Sequence, residues 1–211
     1  MAEMNQHVAA LLLKCKAIIL EPEQPFTWAS GWKSPIYCDN RVTLSYPEVR
    51  NYIRDAFREV IETNFAPPDL IAGVATGAIA QGALVADSMH LPFVYVRPSA
   101  KEHGRQNLIE GRLQAGQKVL VVEDLISTGG SSLKAVAALR EAGAEVLGMV
   151  AIFSYGFELA AENFRKAGVN LHTLTNYHVL IESALKAGAI QADQVELLQD
   201  WRKDPSSWSE K

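Results

Sequence analysis

Between residues 69 and 154 the chain alternates short apolar runs with amphipathic segments, and this alternation constrains the fold more than any other feature. Buried strands are predicted at DLIAGVAT, PFVYVR, QKVLVVED and AEVLGMVAIFS, and helices at AIAQGALVADSMH and GSSLKAVAALREAG. Parallel strands need crossover helices, which cover both faces of their sheet. The sequence therefore predicts an α/β fold with a central, mainly parallel sheet flanked by helices.

The segments on both sides of this core are predicted to form a small cap. A helical pattern in MNQHVAALLLKCKAIIL ends before Pro22 and Pro25, and FTWASGWKSPIYCDN offers short β-like pieces. A further helix with a proline start is predicted in SYPEVRNYIRDAFREVIETNF, and two helices around Gly188 in the tail. We expect one domain over residues 1–211, with its core at about 45–175 and its cap from about 1–44 and 176–211.

Composition excludes several classes of partner. The net charge of −4 gives no overall basic field for nucleic acid, so any anion must be bound locally. The apolar runs are far shorter than the roughly 20 residues that cross a bilayer, so no membrane association is expected. Cys15 and Cys38 form no CxxC pair and no signal-like segment opens the chain, so we expect reduced thiols and a cytoplasmic location.

The stretch VLVVEDLISTGG, residues 119–130, is the clearest candidate for a site. A buried strand ends there in two adjacent carboxylates, Glu123 and Asp124, and a polar loop with two glycines follows. Loop N–H groups, hydroxyls and the next helix N-terminus suit a phosphate, while carboxylates suit sugar hydroxyls with Mg²⁺ nearby. The stretch predicts a ribose 5-phosphate site at the carboxyl edge of the sheet. The alternative is an ordinary turn in which Asp124 only caps the helix.

A polar segment at residues 97–111 carries Arg97, Lys101, His103 and Arg105 between two predicted strands. No hydrophobic period ties it to a core, so we expect a mobile basic lid that brings cations to a departing polyanion. The alternative is a solvated surface loop.

Three segments resemble the orotate phosphoribosyltransferases, and they follow the family's order over most of the chain from Phe26 to Ser154. VVEDLISTGGSS resembles the phosphoribosyl pyrophosphate (PRPP) signature of type I phosphoribosyltransferases, FTWASGWKSPIYCDNR the N-terminal segment of the orotate branch, and VRPSAKEHGRQNLIEG its catalytic loop. The resemblance implies the type I phosphoribosyltransferase fold with a hood, and a homodimer whose loops reach the neighbouring site. It also implies Mg²⁺-dependent transfer of ribosyl 5-phosphate from PRPP to orotate, giving orotidine 5′-monophosphate and pyrophosphate in pyrimidine (UMP) biosynthesis.

The same resemblance implies the residues of the site, with Mg²⁺ held mainly through PRPP and water. The catalytic residues would be Lys101, His103 and Asp124. Contacts to PRPP would come from Arg97, Lys101, His103, Glu123, Asp124, Leu125, Ile126, Ser127, Thr128, Gly129, Gly130 and Ser131, and contacts to orotate from Ser127, Tyr37, Cys38, Arg41 and Tyr155.

The chain departs from the family pattern at several cationic positions. Many members have lysine where this chain has Ala29, Thr76 and Pro98, and some have an arginine for the orotate carboxylate where it has Tyr155. Lys33 and Arg41 are the candidates to replace that arginine. Arg41 could instead pair with a surface acid.

Two other functions are compatible with parts of this pattern. A purine-salvage phosphoribosyltransferase would share the PRPP loop but not the KSPIYCDN segment. A PRPP-sensing regulator would keep the fold and bind DNA, but the sequence has no helix-turn-helix pattern and retains both acids and the basic loop.

Overall fold

The computed structural model describes residues 2–27, 31, 33–99, 108–205 and 208 as an α/β fold around a six-stranded sheet. Its helices are α1 (Ala2–Lys14), α2 (Pro47–Asn64), α3 (Ile79–Ser88), α4 (Gly130–Glu141), α5 (Glu158–Lys166), α6 (Tyr177–Lys186) and α7 (Ala192–Lys203). Its strands are β1 (Ile18–Leu20), β2 (Phe26–Thr27), β3 (Lys33–Ser34), β4 (Ile36–Cys38), β5 (Leu70–Val74), β6 (Phe93–Val96), β7 (Ile109–Glu110), β8 (Lys118–Ile126), β9 (Glu145–Ser154) and β10 (Leu171–Asn176), and a 3-10 helix spans Asn40–Ser45.

The central sheet has the strand order β10-β9-β8-β5-β6-β7. Neighbouring strands are parallel except at the edge, where β7 pairs antiparallel with β6. The chain continues from β5 to β6 on one side and from β8 to β9 on the other, so β5 and β8 flank the switch point. The predicted mainly parallel sheet is confirmed, and its ligand-binding edge lies between the ends of these two strands.

Alternate strand residues enter two separate hydrophobic clusters, as the two-residue period of a strand requires. In β8, Val119 and Val121 pack in the cluster under α4 and α5, while Leu120 and Val122 pack in the other. That second cluster also contains side chains of α1, α2, α6 and α7. Because both faces of the sheet are covered, its strands are continuous apolar runs in the sequence.

The cap joins the first strands to the last helix. Here β1 pairs antiparallel with β4, and β2 with β3. Trp201 in α7 is fully buried, and its Nε1 donates a hydrogen bond of 3.2 Å to the carbonyl oxygen of Lys33 in β3. Gln194 Nε2, also in α7, donates to Glu23 Oε1 at 3.1 Å. The N-terminal and C-terminal parts of the cap therefore support each other.

Two regions differ from the sequence-based prediction. The helical pattern of the first segment extends toward Leu20, but α1 ends at Lys14 because Lys16 adopts a left-handed conformation, with φ of 58°, and β1 pairs with β4. No element is predicted at residues 156–174, where the structure has α5 and most of β10. Among the helices of the described ranges, none has a stretch long and apolar enough to cross a bilayer.

Candidate active site

A cavity of about 280 Å³ opens at the carboxyl ends of β5 and β8. One wall is the end of β5 with the turn at residues 75–77, and the other is formed by residues 123–125 and 127–132. The structure therefore brings the two predicted acids and the polar loop together at the switch point of the sheet. Asp124 does not cap α4, because the N-cap is Gly129 and no side chain caps that helix.

Glu123 is buried in the cavity wall, and both of its carboxyl oxygens accept hydrogen bonds. Its Oε1 accepts from the backbone N–H of Asp124 at 2.9 Å, and its Oε2 accepts from Ser132 Oγ at 2.8 Å. Burial, followed by hydrogen bonding to the Asp124 carboxyl and its negative charge, raises the pKa of Glu123 to about 9. At neutral pH the Glu123 carboxyl is therefore mainly protonated, which lowers the negative charge of the acidic pair.

The Asp124 side chain is positioned by a glycine and by the cap. A Cβ atom on Gly77 would overlap the Asp124 carboxylate, so only glycine leaves room for that side chain. The carbonyl oxygen of Asp124 accepts a hydrogen bond of 2.7 Å from Asn40 Nδ2. Asn40 is buried and begins the 3-10 helix after β4, so the cap is bonded directly to the acidic end of β8.

The loop at residues 127–132 has the features of a phosphate site. Gly129 has φ of 80°, and any side chain there would also collide with the ring of Phe164. Asn163 Nδ2 in α5 donates a hydrogen bond of 3.0 Å to the carbonyl of Thr128. The first residues of α4 line the cavity, so the N–H groups of its first turn and the positive end of its dipole are available to an anion.

Two residues from the predicted PRPP contacts have different environments. Leu125 lines the cavity. Ile126 does not, because its side chain is fully buried under α4 and its carbonyl oxygen accepts the N–H of Tyr155 at 3.1 Å. The sequence motif therefore includes one residue that the fold uses for packing.

The basic segment starts and ends at the same edge of the sheet. The backbone N–H of Arg97, directly after β6, donates to the carbonyl of Leu108 at 2.8 Å, and Arg97 Nη1 lies 3.5 Å from Glu110 Oε1. The N–H of Ala75 donates to Val96 at 2.9 Å, which places this segment beside the 75–77 turn. Lys101, His103 and Arg105 lie outside the described residues, and the contacts of Lys101 and His103 with pyrophosphate stay a prediction.

The cap residues predicted to bind orotate are less enclosed than the acids. Tyr37 is exposed. Burial, and then the charges of Asp124 and Asp39, raise the pKa of the Cys38 thiol, so this group stays neutral. Arg41 makes a two-pronged ion pair with Asp39, at 2.7 and 2.8 Å, and is 58% exposed. This geometry corresponds to the alternative in which Arg41 pairs with a surface acid.

Tyr155 is packed inside an aromatic cluster and does not line the cavity beside Glu123. Its ring is 2% exposed, stacks on Phe157 at 5.4 Å between centroids, and meets Trp201 at 5.7 Å and Phe153 at 5.3 Å. Burial raises the pKa of its hydroxyl well above the usual value. The structure therefore gives Tyr155 a packing role at the end of β9.

Comparison with known proteins agrees with this geometry. The phosphoribosyl transferase domain model matches residues 44–169. The orotate phosphoribosyltransferase of Cytophaga hutchinsonii is 58% identical over 204 residues, which cover 97% of this chain and 98% of that protein. The chain belongs to the orotate phosphoribosyltransferase family.

Solved structures show the same fold. The orotate phosphoribosyltransferase of Aeropyrum pernix superposes with a TM-score of 0.76 at 30% identity, covering 87% of this chain and 99% of that one. The UMP synthase of Leishmania donovani gives a TM-score of 0.79 at 25% identity, covering 94% of this chain but only 42% of that longer one. The type I phosphoribosyltransferase fold, with its mostly parallel sheet, is therefore confirmed.

Three polar residues near the site of this orotate phosphoribosyltransferase family member were not predicted from the sequence. Ser132 belongs to the quoted motif, and Asn40 to the segment that resembles the orotate branch, so both positions carried a signal. Asn163 carried none, because it lies in α5, where no element was predicted. All three act through hydrogen bonds to Glu123, Asp124 or Thr128.

Proposed function

We infer that the protein catalyses the orotate phosphoribosyltransferase reaction of pyrimidine biosynthesis, in which PRPP and orotate give orotidine 5′-monophosphate and pyrophosphate. The observation that carries this inference is one cavity in which a carboxyl pair, the turn after β5 and the N-terminus of α4 meet. The 58% identity to a curated orotate phosphoribosyltransferase over nearly the whole chain supports orotate as the base.

The residues of this cavity account for recognition of a sugar phosphate. The first turn of α4, with the hydroxyls of Thr128 and Ser131, suits the 5-phosphate, whose charge is stabilised at the positive end of a helix. The Glu123–Asp124 pair can accept hydrogen bonds from ribose hydroxyls. As the bond from the sugar to pyrophosphate breaks, positive charge develops on the sugar, and the negative charge of this pair stabilises it.

We propose Mg²⁺ as the cofactor. The cavity offers carboxylate and hydroxyl oxygens, which are the ligands that Mg²⁺ prefers. Within the described ranges no three His, Cys, Asp or Glu side chains converge on a common point, so most ligands would come from PRPP and water. When bound, Mg²⁺ neutralises charge on the departing pyrophosphate.

We also propose that Lys101 and His103 act across a homodimer. The segment that carries them begins beside the 75–77 turn, at the cavity edge, and two-fold symmetric pairs are the commonest soluble oligomers. A cytoplasmic location is part of the same proposal and is supported by the free thiols of Cys15 and Cys38.

The function is tested by pyrophosphate release from PRPP, measured with orotate, adenine, hypoxanthine or xanthine, with and without Mg²⁺. We expect release with orotate only, and only when Mg²⁺ is present. Release with a purine base instead would replace the proposal by a salvage function. Orotate-dependent release that persists in the presence of a chelator would remove Mg²⁺ from it.

The shared site is tested by mixing two inactive variants, Lys101→Ala and Asp124→Asn. In a hybrid dimer with loops exchanged, one site combines the intact acids of the first chain with the intact loop of the second, so activity should reappear after refolding together. If each loop serves the site of its own chain, every site in a hybrid keeps one inactivating substitution, and mixing restores no activity.

A further inference from the structure

Orotate differs from other pyrimidines in its carboxylate, and the site it must enter is already acidic. The inference in this subsection rests on the proposed orotate phosphoribosyltransferase function. The carboxyl groups of Glu123 and Asp124 already line this cavity, so a further carboxylate beside them needs a cation. Of the two cations predicted for this role, Arg41 is paired with Asp39, and Lys33 is an exposed side chain whose Nζ donates to Thr27 Oγ1 at 2.7 Å.

Arg202, in the last turn of α7, is held at the same edge of the sheet as the acids. Its Nη2 donates a hydrogen bond of 3.1 Å to the carbonyl oxygen of Gly156, two residues after β9. Strand β9 lies next to β8, with Ser154 paired to Ile126, so Gly156 and the phosphate loop leave the sheet side by side. Arg202 therefore reaches the carboxyl edge from outside the family motifs.

The position of Arg202 is fixed by its neighbours in α7 and at the end of β9. Trp201, the preceding residue, is anchored among Tyr155, Phe157 and Tyr177 with ring centroids 5.6 to 6.0 Å away. Gly156 has φ of 67°, and the Cζ of Arg202 lies 4.0 Å from where its Cβ would be. The guanidinium is therefore in van der Waals range of the segment that follows β9.

The cavity that Arg202 lines adjoins the phosphate loop. Arg202 lines this cavity of about 600 Å³ together with Thr128, and Thr128 also lines the smaller cavity that contains Asp124. Arg202 is half-buried, and no carboxylate among the described residues forms an ion pair with it. A guanidinium has five N–H donors, so one bond to Gly156 leaves donors for a two-pronged bond to a carboxylate.

We propose that Arg202 binds the carboxylate of orotate and selects it over pyrimidines that lack this group. The end of β9 has Tyr155 where some family members have an arginine. In this chain the cation comes instead from α7, in the C-terminal part of the sequence. Uracil, which has the same ring without the carboxylate, is the discriminating probe.

The test uses Arg202→Ala and Arg202→Gln, with Lys203→Ala as the matched control on the same helical turn. Glutamine can keep a hydrogen bond to Gly156 while removing the charge. Both Arg202 variants should raise the KM for orotate about tenfold to a hundredfold, as expected for a lost charge-assisted hydrogen bond, and change the KM for PRPP less than about threefold. Lys203→Ala should leave both constants unchanged, because this exposed lysine pairs with Asp200.

Base selectivity separates recognition from folding. The ratio of kcat/KM for orotate to that for uracil should fall by the same factor in both variants, and added guanidinium should restore orotate use in Arg202→Ala. An unchanged ratio, or equal losses for orotate and PRPP, overturns the assignment of Arg202. If the wild-type protein releases no pyrophosphate with orotate, the proposed function itself fails, which is a different result.

Discussion

The carboxyl edge of the central sheet and the cap above it hold their functional side chains in opposite ways. At the edge, Glu123 is buried and both of its oxygens are bonded to its own chain. In the cap, Arg41 is 58% exposed and bonded only to its neighbour Asp39, two residues away. The first arrangement depends on the whole sheet, whereas the second depends on one turn.

This difference separates the chemistry of the sugar phosphate from recognition of the base. Strands covered on both faces cannot shift without disturbing two hydrophobic clusters, so the groups at their ends stay in place. Side chains held by local pairs can be exchanged without a change in the sheet. We therefore expect variants at the edge to affect catalysis strongly, and variants of exposed cap side chains to affect base binding or to have very little effect.

Asp124→Asn is expected to have the largest effect. Loss of the negative charge that faces the sugar should lower kcat by about 10²- to 10³-fold. The melting temperature should stay within a few degrees, because Asp124 reaches into a cavity and its backbone bond to Asn40 is kept. Asp193→Asn on the exposed start of α7 is the control. A collapse of thermal stability along with activity would give Asp124 a structural role instead.

Glu123→Gln should change how stability depends on pH. The pKa of Glu123 is raised to about 9 in the folded protein, so its contribution to stability is complete below about pH 4.5 and is lost as the pH rises toward 9. The glutamine variant does not lose stability in this way. Between pH 5 and pH 8 its free energy of unfolding should rise by up to ~4 kcal/mol relative to that of the wild type. Urea unfolding at pH 5 and at pH 8 measures this difference in unfolding free energy, and the substitution Glu145→Gln at an exposed position is the control. A difference independent of pH would show that Glu123 is ionised in the fold.

Asn40→Ala tests the hydrogen bond from Asn40 in the cap to the backbone of Asp124 at the acidic edge. Removing the donor leaves the carbonyl of Asp124 without this partner, which should cost about 1–3 kcal/mol of unfolding free energy and lower kcat. Asn64→Ala removes a bond of similar length, 2.8 Å to Val60 within α2, and should leave kcat unchanged. Equal effects of both variants on kcat would mean that the cap does not position Asp124.

Arg41→Ala should have the smallest effect. An exposed ion pair contributes about 0–1 kcal/mol, and the side chain is already occupied by Asp39. Because its guanidinium is paired with Asp39, we expect the KM for orotate to change less than about fivefold, which corresponds to about 1 kcal/mol. A selective rise in the KM for orotate, with the KM for PRPP unchanged, would instead assign Arg41 to the carboxylate and weaken the case for Arg202.

The sheet edge could be predicted from the sequence because its signals are local and continuous. An apolar run, two acids and a glycine-bearing loop follow one another in VLVVEDLISTGG, and parallel topology then places their positions at the switch point. The predicted contact of Ile126 with PRPP stays a prediction, and a continuous motif does not show that the side chain of Ile126 packs under α4 while its carbonyl pairs with Tyr155.

The cap contacts could not be predicted, because they join residues far apart in the sequence. Asn40 and Asp124 are 84 positions apart, and Lys33 and Trp201 are 168 apart. The helical pattern of α7 predicts a helix, but it does not show which distant strand Trp201 contacts. The helix α5 was missed although its buried residues, Ala160 and Phe164, are spaced as on one face of a helix, whereas the half-exposed edge strand β10 leaves only weak periodicity.

The buried indole of Trp201, bonded to the carbonyl of Lys33, has a consequence for synthesis of the protein. The sheet strands through β9 are made well before this residue, so the acidic edge can form on the ribosome while the cap still lacks its closing side chain. We therefore expect a nascent chain halted before Trp201 to form its phosphate loop while its cap still lacks the buried indole. Under the proposed role of Arg202 in α7, the part of the site that binds the base is synthesised last.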